Sequence, residues 1–164
     1  MSFLNSILKV FVGNKAKKDI SLIQPTVDKI LTAEKQLESL THDELRNKTI
    51  EFKNRIQEVR SPFQEKISEI ENEIEQEEDI DNKEALYQKI DQLEIESYEA
   101  VEVLLEQLLP EAFAVVKETA KRFKNNKTLN VTATEFDREL SGSKSYVVLK
   151  NDQAVWNQSW DAAG

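Results

Sequence analysis

"QEKISEIENEIEQEED", residues 64–79, decides the architecture of this chain. Ile67, Ile70 and Ile74 recur at a three-then-four spacing, and most of what lies between them is acidic. One apolar residue per turn on a single face marks a helix that buries a narrow seam against one partner. The partner follows directly. "DIDN" (79–82) reads as a turn, after which Leu86, Ile90, Leu93, Ser97, Ala100 and Leu104 resume a 4-3-4-3-4 spacing. Two such helices joined by a short acidic turn make an antiparallel, coiled-coil-like helical hairpin. "EEDIDN" lacks the glycine and the terminal glutamate of a calcium loop, so its acids read as a solvated face.

Charge confirms that this region stands apart. Residues 65–106 carry sixteen acids against Lys66, Lys83 and Lys89, a local net of −13 in a chain of net −9. The remainder is therefore +4, and residues 1–18 hold Lys9, Lys15, Lys17 and Lys18 with no acid. Nucleic acid is excluded as a partner of the body, because its phosphates would be repelled. Zero cysteines and a single histidine, His42, leave no disulfide, thiolate site or zinc site to expect. The three glycines are scattered, and neither GxxxxGK nor GxGxxG occurs. No catalytic, cofactor-binding or metal-binding residue is expected. No stretch approaches eighteen apolar residues, and the opening charge follows the apolar part, unlike a secretory signal. The expectation is a cytosolic chain.

Outward from the hairpin, the flanks read as follows. Phe3, Leu4, Ile7, Leu8 and Phe11 line one face of a short N-terminal helix, with lysines clustered after it. Such a helix either packs on its own domain or meets acidic lipid. A second helix covers 19–40, with Pro25 predicting a break or kink near Gln24. Thr41 and Glu44 form a capping box that opens a further helix, with His42 an exposed residue of its first turn and Leu45, Phe52 and Ile56 on one face. Beyond the hairpin, "LLPEAFAVVKETAKRF" (108–123) sets Leu109, Phe113, Val116, Ala120 and Phe123 on one helical face, with Pro110 near the start. "TLNVTAT" is β-rich, and "ATEFDREL" fits one or two helical turns. Tyr146–Leu149 and Ala154–Asn157 flank Asn151-Asp152 as a hairpin. Two tryptophans near "WDAAG" suggest a surface that more protein should cover. The fold class is mainly α: N-terminal amphipathic helices, a long antiparallel helical hairpin and a small C-terminal β-hairpin region.

Three pieces, in order, resemble the SecA family of bacterial export motors. "SILKVFVGNKAKKDI" (6–20) is similar to the family's first helix and basic segment. "LESLTHDELRNKTIEFKNRI" (37–56) and "LLPEAFAVVKETAKR" (108–122) are similar to its next two conspicuous stretches. The resemblance divides the chain into 1–58, N-terminal helices of the motor; 59–107, an inserted acidic hairpin; 108–123, a core helix; and 124–164, a second inserted segment. Insertions of this kind resemble those of Bacteroidetes-type members. The family's adenine-contacting glutamine motif and "TGEGKT" loop do not occur, so the resemblance is to an N-terminal piece that ends before the nucleotide site. It implies no ATP or Mg in this piece, though the full-length family uses both. It further implies contact of Phe3, Leu4, Ile7, Leu8, Lys9, Phe11, Lys15, Lys17 and Lys18 with acidic phospholipid and the SecYEG channel. Preprotein would be handled by the full motor, peripheral on the cytoplasmic face of the inner membrane. Leu109, Phe113, Val116 and Ala120 would be structural, core in the complete motor. Homodimerisation is left open, and the alternative reading is a free-standing coiled-coil interaction module.

Overall fold

A computed structural model describes the backbone of residues 3–158 and the side chains of Lys15 and residues 17–158. Three long helices come first: α1 (Phe3–Leu37), α2 (His42–Gln76) and α3 (Ile80–Asn125). A small β1 (Thr128–Thr132), α4 (Glu135–Ser141), β2 (Val147–Lys150), β3 (Gln153–Asn157) region follows. The chain divides into two compact units, Thr41–Leu109 and Met1–Leu40 with Pro110–Gly164.

The unit Thr41–Leu109 is the hairpin. Thr41 is extended and its hydroxyl accepts from the Glu44 N–H at 3.2 Å, while the Glu44 carboxylate accepts from the Thr41 N–H at 2.7 Å. The expected capping box is thus formed, and that backbone hydrogen bond holds the Glu44 carboxyl below the usual carboxylate range. His42 opens α2 half-buried rather than exposed. The helices turn over Glu77–Asp79, slightly earlier than "DIDN" suggests. The reason is local: Asp79 Oδ1 accepts from the N–H groups of Asp81 and Asn82, capping α3 at Ile80. Ile74 and Leu86 are buried beside the turn, Val101 and Leu108 further along α3, and Ile67, Ile70, Ile90, Leu93, Ser97, Ala100 and Leu104 are half-buried. Every residue of the expected seam therefore lies on the covered side. The seam also takes in Leu45, Phe52, Ile56 and Val59, so the expected segment borders at 58/59 and 107/108 fall inside continuous helices.

Two expectations about proline are corrected. No break occurs near Gln24, because α1 runs through Pro25, and Pro110 lies deep inside α3 instead of near a helix start. Pro62 is likewise inside α2. Each proline leaves without a donor the carbonyl four residues back, those of Ser21, Glu58 and Glu106. All three residues are exposed, so water can satisfy the carbonyl and the helix continues.

In the other unit the strands form one antiparallel sheet, order β1-β3-β2. The hairpin expected at Tyr146–Asn157 is present, with Lys150 paired to Gln153 and Asn151 taking φ 56°, a left-handed conformation that Asn tolerates. β1 adds to its far side, Val131 opposite Ala154. Val131, Val147 and Ala154 form the buried centre, covered by Ala133, Leu140, Tyr146, Leu149 and Trp156. Asp137, fully buried at the start of α4, ties helix to sheet. It accepts from the N–H and the hydroxyl of Thr134, both at 2.8 Å, and from Trp156 Nε1 at 3.1 Å.

Candidate interaction surfaces

The polar joint of the α/β-containing unit is built from one end of α3 and one end of α1. Lys117 pairs with Glu34, and Lys121 Nζ meets Glu38 at 2.6 Å. The common step of four residues means that the two helix ends run parallel. Arg122 completes the joint. Its Nε donates to Glu118 at 2.8 Å, and its Nη2 donates to the carbonyls of Leu37 at 3.0 Å and Leu40 at 2.8 Å. A helix C-terminus carries unsatisfied carbonyls and a partial negative charge, and a buried guanidinium answers both. Glu118 Oε2 has no hydrogen-bond donor but faces Lys121 Nζ at 3.4 Å, an ion-pair distance. The hydrogen bond with Lys121 lowers the pKa of Glu38, and the same bond raises that of Lys121. The joint binds helix to helix.

The face of α3 expected to be core in the complete motor is open in this chain. Phe113 is 57% exposed and Val116 68%, and Leu109 and Ala120 are also exposed. The buried line is Val101, Leu108, Val115, Glu118 and Arg122, with Leu104, Glu111 and Thr119 half-buried, one residue out of step with the apolar pattern. Two of its members are charged and neutralise each other at an i, i+4 spacing, which apolar periodicity cannot register. The clue was the Glu118–Arg122 spacing itself. At the other predicted surface, Lys15, Lys17 and Lys18 are exposed. The side chains of Phe3, Leu4, Ile7, Leu8, Lys9 and Phe11 lie outside the described residues.

Comparison with known proteins decides the family. The family model of the SecA DEAD-like domain matches residues 8–150. This chain belongs to the SecA family. It is 56% identical to the protein translocase subunit SecA of Flavobacterium psychrophilum and 52% identical to that of Christiangramia forsetii. Each match covers 100% of this chain and 15% of the relative. The subunit of Phocaeicola vulgatus is 44% identical over the same shares. The chain thus spans about 15% of the length of the curated relatives it matches. No solved structure matches it.

These SecA relatives align through the hairpin and the sheet as well as the helices around them, so both segments are shared property. Trp156 is half-buried, with its ring stacked 6.5 Å from Phe136 and tilted against Tyr146 at 6.0 Å. With Phe123, Asn157 and Gln158, Tyr146 and Trp156 line an open apolar hollow of about 400 Å³. Trp160 lies outside the described residues. Among the described residues, no group of three or more histidines and carboxylates is arranged to hold a metal ion, and no helix is long and apolar enough to cross a membrane.

Proposed function

We propose that this chain is the N-terminal region of a Sec translocase motor, whose full-length form couples ATP hydrolysis to preprotein export through the SecYEG channel. The observation that carries the reading is the end-to-end likeness to relatives named protein translocase subunit SecA. In this reading the region supplies packing and membrane or channel contact, while ATP and Mg are held at family motifs that this sequence does not contain. The hairpin and the polar joint offer no cradle of backbone N–H groups with a lysine, the arrangement a nucleotide phosphate requires.

The basic N-terminal run supports a peripheral site on the cytoplasmic face of the inner membrane. Each lysine near an anionic surface contributes about 1 kcal/mol, and four are grouped at Lys9, Lys15, Lys17 and Lys18. Phe3, Leu4, Ile7, Leu8 and Phe11 add an apolar face to bury in the interface. The hairpin's −13 opposes this attraction only within a Debye length, about 8 Å, of the lipid. Co-sedimentation with vesicles checks the balance. The chain should pellet with anionic and not neutral vesicles, and deletion of residues 2–18 should abolish pelleting. Equal pelleting with both lipids, or none lost on deletion, refutes the contact role. Titration calorimetry should detect no ATP binding, and micromolar affinity would refute the division of labour.

A further inference from the structure

Within the hairpin unit, α3 carries a second line of side chains that its partner helix does not cover. At 100° per residue, positions 80, 84, 87, 91, 94, 98, 102 and 105 all fall within about 40° of one line. That line lies about 100° round the helix from the buried seam. Its apolar members are Ile80, Tyr87, Tyr98 and Leu105, all exposed, with Tyr87 at 53% and Tyr98 at 65%. Its other members are Glu84, Asp91, Glu94 and Glu102, so carboxylates stand between the aromatic and aliphatic groups and no member of the line is a lysine or arginine. Tyr98 is held in place: its hydroxyl donates to Glu102 at 2.8 Å.

We infer that this line is a docking surface for a lysine- or arginine-rich amphipathic helix of another protein. The apolar members give such a helix a stripe to lie on, the helix-in-groove mode of recognition. Charge selects the occupant. Flanking charges set partner choice between packed helices, and here every charge on the line is negative, with Lys83 the one base close beside it. A second copy of the same line would set carboxylate against carboxylate, and anionic lipid or nucleic acid would be repelled. A basic helix gains twice, from the carboxylates and from stacking of its cations on the faces of Tyr87 and Tyr98. Exposed tyrosines with few rotatable bonds suit an anchoring role. The inference does not depend on the membrane role proposed above.

The test uses the whole 164-residue chain and a labelled synthetic amphipathic peptide of about 21 residues, three heptads, with leucine on one face and lysine and arginine elsewhere. A twin peptide keeps the leucines and replaces every base with glutamate. Fluorescence anisotropy at about 0.15 M salt, where long-range attraction is screened, should show binding of the basic peptide alone. Tyr87→Ala with Tyr98→Ala should weaken binding tenfold or more, with helical circular dichroism unchanged because both side chains are exposed. Replacing Glu84, Asp91, Glu94 and Glu102 by Gln should weaken it similarly, while Glu71→Gln with Glu75→Gln on α2 should have little effect. Three results overturn the inference: equal binding of the twin, tyrosine variants that bind like the parent, or α2 variants that lose as much as the α3 set. Sedimentation showing a dimer that Tyr98→Ala abolishes would overturn it in favour of a second copy.

Discussion

The hairpin and the unit containing the sheet solve the same problem with opposite means. The hairpin is strongly charged, yet its cohesion is apolar: a single seam in which Leu45, Ile74, Leu86, Val101 and Leu108 are buried. The other unit is less charged, yet its joints are polar. Arg122 closes the end of α1, and Asp137 ties α4 to Trp156 on β3. Repeating units of seam can be built by local spacing alone, since each turn of helix contributes alike. The sheet has only Val131, Val147 and Ala154 at its buried centre, and such a small cluster does not orient the parts around it, so directional bonds do that.

If that contrast holds, Arg122→Ala should be the most damaging single substitution. It takes from Glu118 its closer cationic partner and from the Leu37 and Leu40 carbonyls a shared donor, and removing one member of a buried pair costs about 3–5 kcal/mol. A chemical-denaturation shift below about 1 kcal/mol would show that water replaces the guanidinium and that the joint is decorative. Leu86→Ala should come next, at about 2–3 kcal/mol, because the thin seam has few neighbours to relax into the cavity. Amide exchange should place that loss in the hairpin. Loss spread equally over β1–β3 would erase the contrast.

Salt and pH should separate the units further. Added salt should slow amide exchange in the hairpin by screening its self-repulsion, and should not slow it where Lys117 and Lys121 pair with Glu34 and Glu38. Acidification through the ordinary carboxylate range, about pH 4, should also help the hairpin at first. Glu44 then opposes this. Its pKa is lowered in the folded state, so its contribution is present above the unfolded value and lost as pH falls through the lowered one. Glu44→Gln should remove that late loss. If it leaves the acid limb unchanged, other carboxylates govern it. The smallest effect should be at Phe113. A largely exposed ring loses little on truncation, so Phe113→Ala should cost under about 1 kcal/mol by thermal melting. A cost near about 4 kcal/mol would mean the ring has neighbours in solution, as when a larger motor covers this face.

Much of this architecture is local and therefore legible in the residues alone. The isoleucine seam, the Thr41–Glu44 box and the β-branched runs each depend on side chains a few positions apart, and each forms where its spacing says. The SecA relationship is legible for the same reason, being carried by contiguous stretches. Only tertiary structure decided which face of Leu108–Phe123 is buried. Arg122 acquires its meaning from carbonyls 82 and 85 residues earlier, and Asp137 from an indole 19 residues later. Apolar periodicity counts hydrophobic side chains, whereas this joint buries charges whose partners lie far off in the chain. The prolines teach the same lesson: proline disrupts a helix by its own chemistry, yet solvent at Ser21, Glu58 and Glu106 lets these helices continue.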